Sequence, residues 1–256
     1  MGFLDFLKGG KAGAPAAPAQ SAQLPPPAGP DLGCLLCGKP RSAAAATARC
    51  ALCGAESAAG QRCTAGHLTC AACDEAEAAD VIERACAASD ERDPVALALR
   101  LFRHPALLRD GAAAHVLVPS VLAAAWANQG GGAGEAERGA RVAEARRRAE
   151  ADGAGCAPGV CGAAAGAGTF VALAGAAGGA NGAAAQDLPA AMAAKARSVV
   201  GAKGSTCCKR DALLSILAAS RFARENLAID LPAGGVGCET SGRATSCMGS
   251  GCPFNR

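Results

Sequence analysis

The sequence predicts a mainly α protein: a helical domain preceded by a small cysteine-rich zinc ribbon or knuckle module and a disordered N-terminal linker. Three observations lead there. Cysteine makes up 15 of 256 residues and is dense between Cys34 and Cys73. Beyond Cys73 the apolar residues recur at helical spacing, with no convincing run of alternating strands. Aromatics are 3% of the chain, tyrosine is absent and glycine numbers 34, so the 51% apolar content has to build a close-packed core from small residues. The division expected is a short N-terminal helix with a Pro/Ala/Gly-rich linker over 1–31, a zinc-binding module over 32–75, and a helical cysteine-rich domain over 76–256.

The opening MGFLDFLKGG is an amphipathic turn or two, without the charged, apolar and cleavage regions of a signal peptide. Phe6 stands where a myristoylation motif needs Ser or Thr, and the segment reads as a frayed helix. Residues 9–31 hold Pro, Ala and Gly with almost no large apolar anchor, the composition of a flexible linker. From Cys34 to Cys73 there are too few large apolar residues to fold on burial alone, so the segment needs a metal. Helical patterns then follow over 77–89, where Val81, Ile82 and Cys86 share a face, and over 93–105, where Pro94 takes a first-turn position. The stretch 115–129 is apolar enough for a central helix despite Pro119, and 133–152 reads as a solvated helix whose arginines form a polar face. Further helices are expected over 161–177, 187–202 and 210–227, then a loop-like C-terminal part. Gly162, Gly166 and Gly175 are expected to let neighbouring backbones approach closely.

Composition also excludes some functions. The formal net charge is +3, with no basic tract and few stacking aromatics, which argues against nucleic-acid binding. The weakly polar run Val160–Ala180 is Gly/Ala-rich and interrupted by cysteine and threonine, so it reads as a buried helix; no integral membrane segment is expected. An odd cysteine count, CxxC pairs and no secretory signal point to a reducing, cytoplasmic setting rather than a disulfide scaffold.

The cysteines form three constellations. Cys34-x2-Cys37 with Cys50-x2-Cys53 makes two knuckles that can complete a closed four-thiolate site for structural zinc; iron or free thiols are the other readings. Cys63-x3-His67-x2-Cys70-x2-Cys73 supplies three thiolates and an imidazole for a second zinc, the alternative being a surface His67 and an unpaired Cys63. The third set is dispersed: Cys156, Cys161, Cys207, Cys208, Cys238, Cys247 and Cys252. Glycines and expected helix starts lie near it, and Lys209 and Arg210 follow Cys207 and Cys208, all of which would favour thiolate. An iron–sulfur cluster, a redox dithiol and simple packing remain open for this set. Adjacent side chains diverge, so Cys207 and Cys208 are not expected to bind one ion together. Catalytic candidates are Cys207, Cys208 and His115, although His115 also reads as a partly buried helix-start residue, and His104 as the end of a helix. No paired carboxylates, Ser-His-Asp set or phosphate loop is present.

Several segments in order carry a resemblance: GHLTCAAC at 66–73, RHPALL at 103–108, HVLVPSVLAAAWANQ at 115–129, CAPGVCGAAAGAG at 156–168, CCKRDALLSI at 207–216 and CMGSGCPF at 247–254. Over roughly 34–254 the chain resembles the cysteine-rich family of bacteria and archaea called domain of unknown function 5714. The resemblance implies an accessory of anaerobic metabolism, with a methyltransferase-like or redox protein as partner. Where that family tends to read His-Gly-Pro-Glu-His-His, this chain has Asp110-Gly111-Ala112-Ala113-Ala114-His115, and Asp74 replaces the family's usual histidine after the last knuckle. GVCGAAAGAG and CCKRDALLSI are also similar to helices of iron–sulfur serine dehydratases and cysteine desulfidases, from which no catalytic residue is carried over. The combined reading is a cytoplasmic metal-binding protein with structural Zn2+ sites and a thiolate iron–sulfur or redox site. The alternatives are an iron–sulfur-dependent lyase or methyl/sulfur-transfer component, and a zinc-stabilised interaction adaptor.

Overall fold

The computed structural model describes residues 33–44, 46–108, 113–129, 134–151, 161–177, 183–201, 207–239 and 247–255. The expected N-terminal helix and linker, Cys156 and residues 110–112 of the 110–115 segment lie outside the described residues.

The cysteine-rich part is made of very short strands. β1 (Arg41–Ala43), β4 (Gly60–Cys63) and β5 (Leu68–Cys70) form an antiparallel sheet in the order β1-β4-β5, while β2 (Ala48–Arg49) pairs with β3 (Glu56–Ser57). Two register points position the ligands. Arg41 faces Cys63 across β1 and β4, and an isolated parallel bridge sets Cys50 against Leu68. The first therefore draws Cys34 and Cys37 towards Cys63, and the second draws Cys50 and Cys53 towards Cys70. The turn α1 (Ala71–Asp74) ends the module, and Asp74 accepts a hydrogen bond from Arg41 Nη1 at 2.7 Å, tying it back to β1.

The rest is helical: α2 (Ala78–Ala88), α3 (Pro94–Leu101), α4 (Pro105–Leu108), α5 (Ala114–Gln129), α6 (Glu135–Ala151), α7 (Gly162–Ala177), α8 (Ala183–Gly201) and α9 (Cys208–Leu227). Val81, Ile82, Ala85 and Cys86 of α2 are buried on one face, as their spacing predicts. α3 begins at Pro94, and Asp93 Oδ1 accepts from the N–H groups of Val95 and Ala96 at 2.8 and 3.1 Å. Such a cap contributes about 1 kcal/mol. The other oxygen of Asp93 accepts from the N–H of Gly234, which fastens the C-terminal segment to the same turn.

α6 is less solvated than its charge suggests. It buries Val142, Ala145 and Ala149, and its arginines act as ties between helices. Arg146 reaches Asp80 and Glu83 of α2, both at 2.7 Å. Arg138 donates to the Ala87 carbonyl at 2.6 Å and to Asn128 Oδ1 at 3.2 Å. Arg141 lies over Trp126, 3.9 Å from the ring centroid, a cation–π contact.

Glycine and proline set the spacing of the central helices. α7 packs against both α5 and α8. Pro119 has no N–H, so the carbonyl of His115 loses its usual partner four residues on. That carbonyl faces Gly166, where a Cβ would come within 2.8 Å of His115 O and Pro119 Cδ. Two residues on, a Cβ at Gly168 would meet the Pro189 carbonyl of α8 at 2.8 Å. Gly175 departs from expectation, since nothing lies within 4 Å of a Cβ placed there. One continuous apolar core runs from Leu35 and Leu68 through Ile82 and Leu101 to Phe170, Ile216 and Phe254, joining the cysteine-rich part to the helices. Among the described residues no helix is long and apolar enough to cross a membrane.

These two glycines predict opposite responses. Gly166→Ala forces apart a filled helix crossing and is expected to cost about 1–3 kcal/mol. Gly175→Ala is expected to add about 0.5–1 kcal/mol by removing backbone freedom from an open helical position. Urea unfolding midpoints of the two variants check both signs.

Candidate metal centres

All eight ligands expected in the cysteine-rich part converge, but in a different grouping from the contiguous sets read from sequence. One tetrad is Cys34, Cys37, Cys63 and His67; the other is Cys50, Cys53, Cys70 and Cys73. Within each, the ligand atoms lie within 4.8 Å of one another. The ligand pairs are thus interleaved, first with third and second with fourth. The sheet explains the correction: β1 carries the first pair to β4, and the Cys50–Leu68 bridge carries the second pair to β5.

The two CxxC knuckles are built alike. Cys34 Sγ accepts from the N–H of Leu36, and Cys50 Sγ from that of Leu52, each at 3.4 Å. Gly38 and Gly54 close the loops by donating to the carbonyls of Cys34 and Cys50 at 2.8 and 2.9 Å. Their φ values are +71° and +72°, which explains a glycine directly after each pair. His67 turns Nδ1 inward, 3.6 Å from both Cys34 Sγ and Cys63 Sγ. Cys37 Sγ is 3.8 Å from Cys63 Sγ, and Cys53 Sγ is 3.9 Å from Cys70 Sγ. A disulfide needs about 2.05 Å, so neither sulfur pair is bonded.

Each tetrad holds one readily ionised thiol. The Cys73 thiol hydrogen-bonded to Cys50, aided by N–H groups of Cys70, Cys53 and Leu52, holds Cys50 down at about 4 against the opposing effect of burial. For Cys63, burial pushes up, but the N–H groups of Ala65 and His67 and the thiols of Cys34 and Cys37 bring it to about 6. Burial pushes Cys34 and Cys70 up, and Cys73 is raised chiefly by its bond to Cys50. Thiolate is the form that ligates metal. Each tetrad could hold a metal ion.

Two residues between α3 and α4 join these centres to the helices. His104, read from sequence only as a helix end, is 1% exposed. Its Nε2 lies 2.8 Å from the Cys73 carbonyl, and its Nδ1 accepts from the N–H of Ala106 at 3.2 Å. A carbonyl only accepts and an amide only donates, so the ring is the neutral Nε2–H tautomer, and burial pushes its pKa down. Arg103 donates to the Leu35 carbonyl at 3.3 Å and pairs with Glu239, next to Cys238. The signal for both residues was the RHPALL segment itself, whose polar Arg-His pair sits in an otherwise apolar stretch.

The dispersed cysteines behave differently. Cys207 precedes α9 and Cys208 opens it, while Cys161 precedes α7. An isolated parallel bridge sets Cys238 against Asn255, and the Cys238 N–H donates to the Phe254 carbonyl at 2.7 Å. Cys247 Sγ accepts from the N–H of Gly249 at 3.4 Å. Arg210 is buried, bonded to Asp211 Oδ1 through Nε and Nη2 at 2.9 and 2.7 Å, and its Nη1 lies 2.8 Å from Met248 Sδ. The expectation that Lys209 and Arg210 favour thiolate at Cys207 is not met. Burial, together with the charges of Asp211 and Cys238, raises its pKa more than the N–H groups of Arg210 and Lys209 lower it. Among the described residues no three of Cys161, Cys207, Cys208, Cys238, Cys247 and Cys252 meet within 4.8 Å as the tetrads do. His115 is half-buried on the first turn of α5, its pKa lowered by burial, and belongs to neither tetrad.

These features define a mostly helical protein carrying an interleaved pair of cysteine-rich, metal-competent centres. The chain belongs to the family of unknown function DUF5714, whose model matches residues 82–255. The match begins within α2, so all eight tetrad residues, GHLTCAAC included, stand ahead of it. No curated protein and no solved structure matches the chain.

His104→Ala would leave the Cys73 carbonyl unsatisfied in the interior. The expected cost is about 1–3 kcal/mol, read as a lower denaturation midpoint, with bound metal per chain unchanged because His104 is in neither tetrad.

Proposed function

We propose that this protein is a metal-binding member of its family, in which two structural zinc ions fold the segment 33–74 and fix it to the helices. The spacing of ligand atoms carries this reading. A tetrahedral zinc ion with bonds of about 2.3 Å to sulfur and 2.0–2.1 Å to nitrogen spaces sulfurs about 3.8 Å apart, and sulfur from nitrogen about 3.6 Å. The Cys37–Cys63 and Cys53–Cys70 sulfurs are 3.8 and 3.9 Å apart, His67 Nδ1 is 3.6 Å from the sulfurs of Cys34 and Cys63, and all ligand atoms of a tetrad lie within 4.8 Å of one another. Four protein ligands leave no open position, which suits a structural role. An odd cysteine count and CxxC pairs support a reducing, cytoplasmic setting.

A second site is proposed for the C-terminal cysteines, with Cys156 and Cys161 as further candidates. It is supported by Cys207 and Cys238 being near enough to act on each other electrostatically, and by Arg210 bonding Met248 beside Cys247. Cysteine thiolates are the ligands of iron–sulfur clusters and the reactive groups of redox sites, which makes a cluster or a redox site the proposed occupant. A cluster-dependent lyase or a methyl- or sulfur-transfer component would follow from it, and the family resemblance makes a methyltransferase-like or redox protein the proposed partner.

Metal content tests the first reading. The purified chain, desalted against a weak chelator, is expected to carry two zinc ions. Cys34→Ser/Cys37→Ser should lose one of them. Cys34→Ser/Cys50→Ser should lose both, because the tetrads are interleaved; retention of one zinc by that variant would show that the contiguous sets form instead. For the second reading, anaerobic purification is expected to yield iron and acid-labile sulfide that are lost in Cys207→Ala. Zinc without labile sulfide would sink it.

A further inference from the structure

After α9 the chain continues without helix or strand as far as Cys238 and Glu239, and Pro232, Ala233, Gly234 and Gly235 are all exposed. Backbone bonds fasten the two ends of this segment. The N–H of Ile229 donates to the Ala223 carbonyl at 3.3 Å, and that of Cys238 to the Phe254 carbonyl at 2.7 Å. Between them Leu231 is buried in the core. Two side chains that flank α3 hold the remainder. Asp93, before α3, accepts from the N–H of Gly234 through Oδ2. Arg103, after it, donates through Nε to Glu239 Oε2 at 2.7 Å.

The two clasps match the segment in length. From Asp93 to Arg103, α3 and the turn after it advance about 15 Å, and residues 234–239 reach about 17 Å when extended. Gly234 is needed at the first clasp, because a Cβ there would come within 2.8 Å of Asp93 Oδ2. Gly235 is different: nothing lies within 4 Å of a Cβ placed there, and its φ is outside the left-handed region. It contributes backbone freedom and no contact. The second clasp is weak by position, since the Glu239 side chain is 50% exposed and an exposed ion pair stabilises little. A segment with few buried apolar contacts and an exposed backbone opens locally while the rest of a domain stays folded.

We propose that residues 232–239, anchored at Leu231, form a strap clasped across α3 by Asp93 and Arg103, which opens as one unit and gates the Cys238 thiol. With the strap closed, Cys238 is set against Asn255, whose N–H donates to the Cys252 carbonyl at 3.1 Å. With it open, that pairing is broken and Cys238 leaves the other C-terminal thiols. The functional sense of the gate rests on the second site proposed above: a closed strap completes that site and an open one gives access to it.

Hydrogen exchange of the full-length protein, corrected for intrinsic rates, tests this. Glu239→Ala removes one clasp, and the amides of both Gly234 and Cys238 should then exchange at least three-fold faster, by a common factor. Gly235→Ala fits the closed strap and restricts only the open one, so both amides should exchange about two- to five-fold slower. Amides of α3 and α9 should keep their rates in either variant. The gate is read on the same proteins. Where the purified protein holds iron, iron loss to a chelator should follow the factor seen at the amides; where it holds none, alkylation of Cys238 by iodoacetamide should follow it. Absence of iron thus counts against the second site and leaves the strap tested. Acceleration at Cys238 with Gly234 unchanged, the result of a merely local contact, would overturn the strap. Faster exchange in Gly235→Ala, or iron-loss or alkylation rates that do not track the amides, would overturn it as well.

Discussion

Convergence of eight ligand side chains on two points is the constraint on which the rest of the architecture depends. Residues 33–74 contain four leucines and no other large aliphatic or aromatic hydrocarbon side chain, and their strands are two to four residues long. Strands so short are marginal on their own. The interleaved grouping adds cooperativity. Since each tetrad draws one pair from each half of the segment, neither can be completed by a contiguous stretch of chain, and closing one brings the other's ligands together. The knuckle amides that point at Cys34 and Cys50 are satisfied in the same event.

Two polar side chains reinforce the apolar joint between that segment and the helices. Arg103 and His104 are adjacent, yet they contact opposite ends of the cysteine-rich part: Arg103 the Leu35 carbonyl in the first knuckle, His104 the Cys73 carbonyl in the last. Arg103 also holds Glu239, so one side chain links the first tetrad's knuckle to the loop that bears Cys238. The arrangement gives a physical reason for a polar Arg-His pair inside an otherwise apolar stretch.

Within the helical domain, small residues replace the usual large ones. Gly166 and Gly168 bring α7 against a proline-containing helix on each side, and the His115 carbonyl left without a partner by Pro119 is covered by the close approach of Gly166. The few aromatics are concentrated where they do most: Trp126 meets Phe170 edge-on, with centroids 6.3 Å apart, and receives Arg141 on its face. Charged side chains of α6 then close the outer surface by pairing with α2.

By itself the sequence determined the chemistry that is local. Cysteines separated by two residues and followed by glycine form a knuckle whatever surrounds them, because the amide two residues on and the positive φ of the glycine act within five residues; hence the Cys34/Cys37 and Cys50/Cys53 pairs were legible, as were the other four candidates from their spacing, the helix locations and the Pro94 start. Tertiary structure decided what depends on neighbours distant in the chain. Which knuckle joins which follows from the β1-β4-β5 order, and no spacing within the cysteine run encodes it. Gly166 and Gly175 look alike in sequence, but a helix crosses only the first. The cations after Cys207 promised a stabilised thiolate, yet burial and the charges of Asp211 and Cys238 raise its pKa, because the field at a buried sulfur is fixed by everything packed around it.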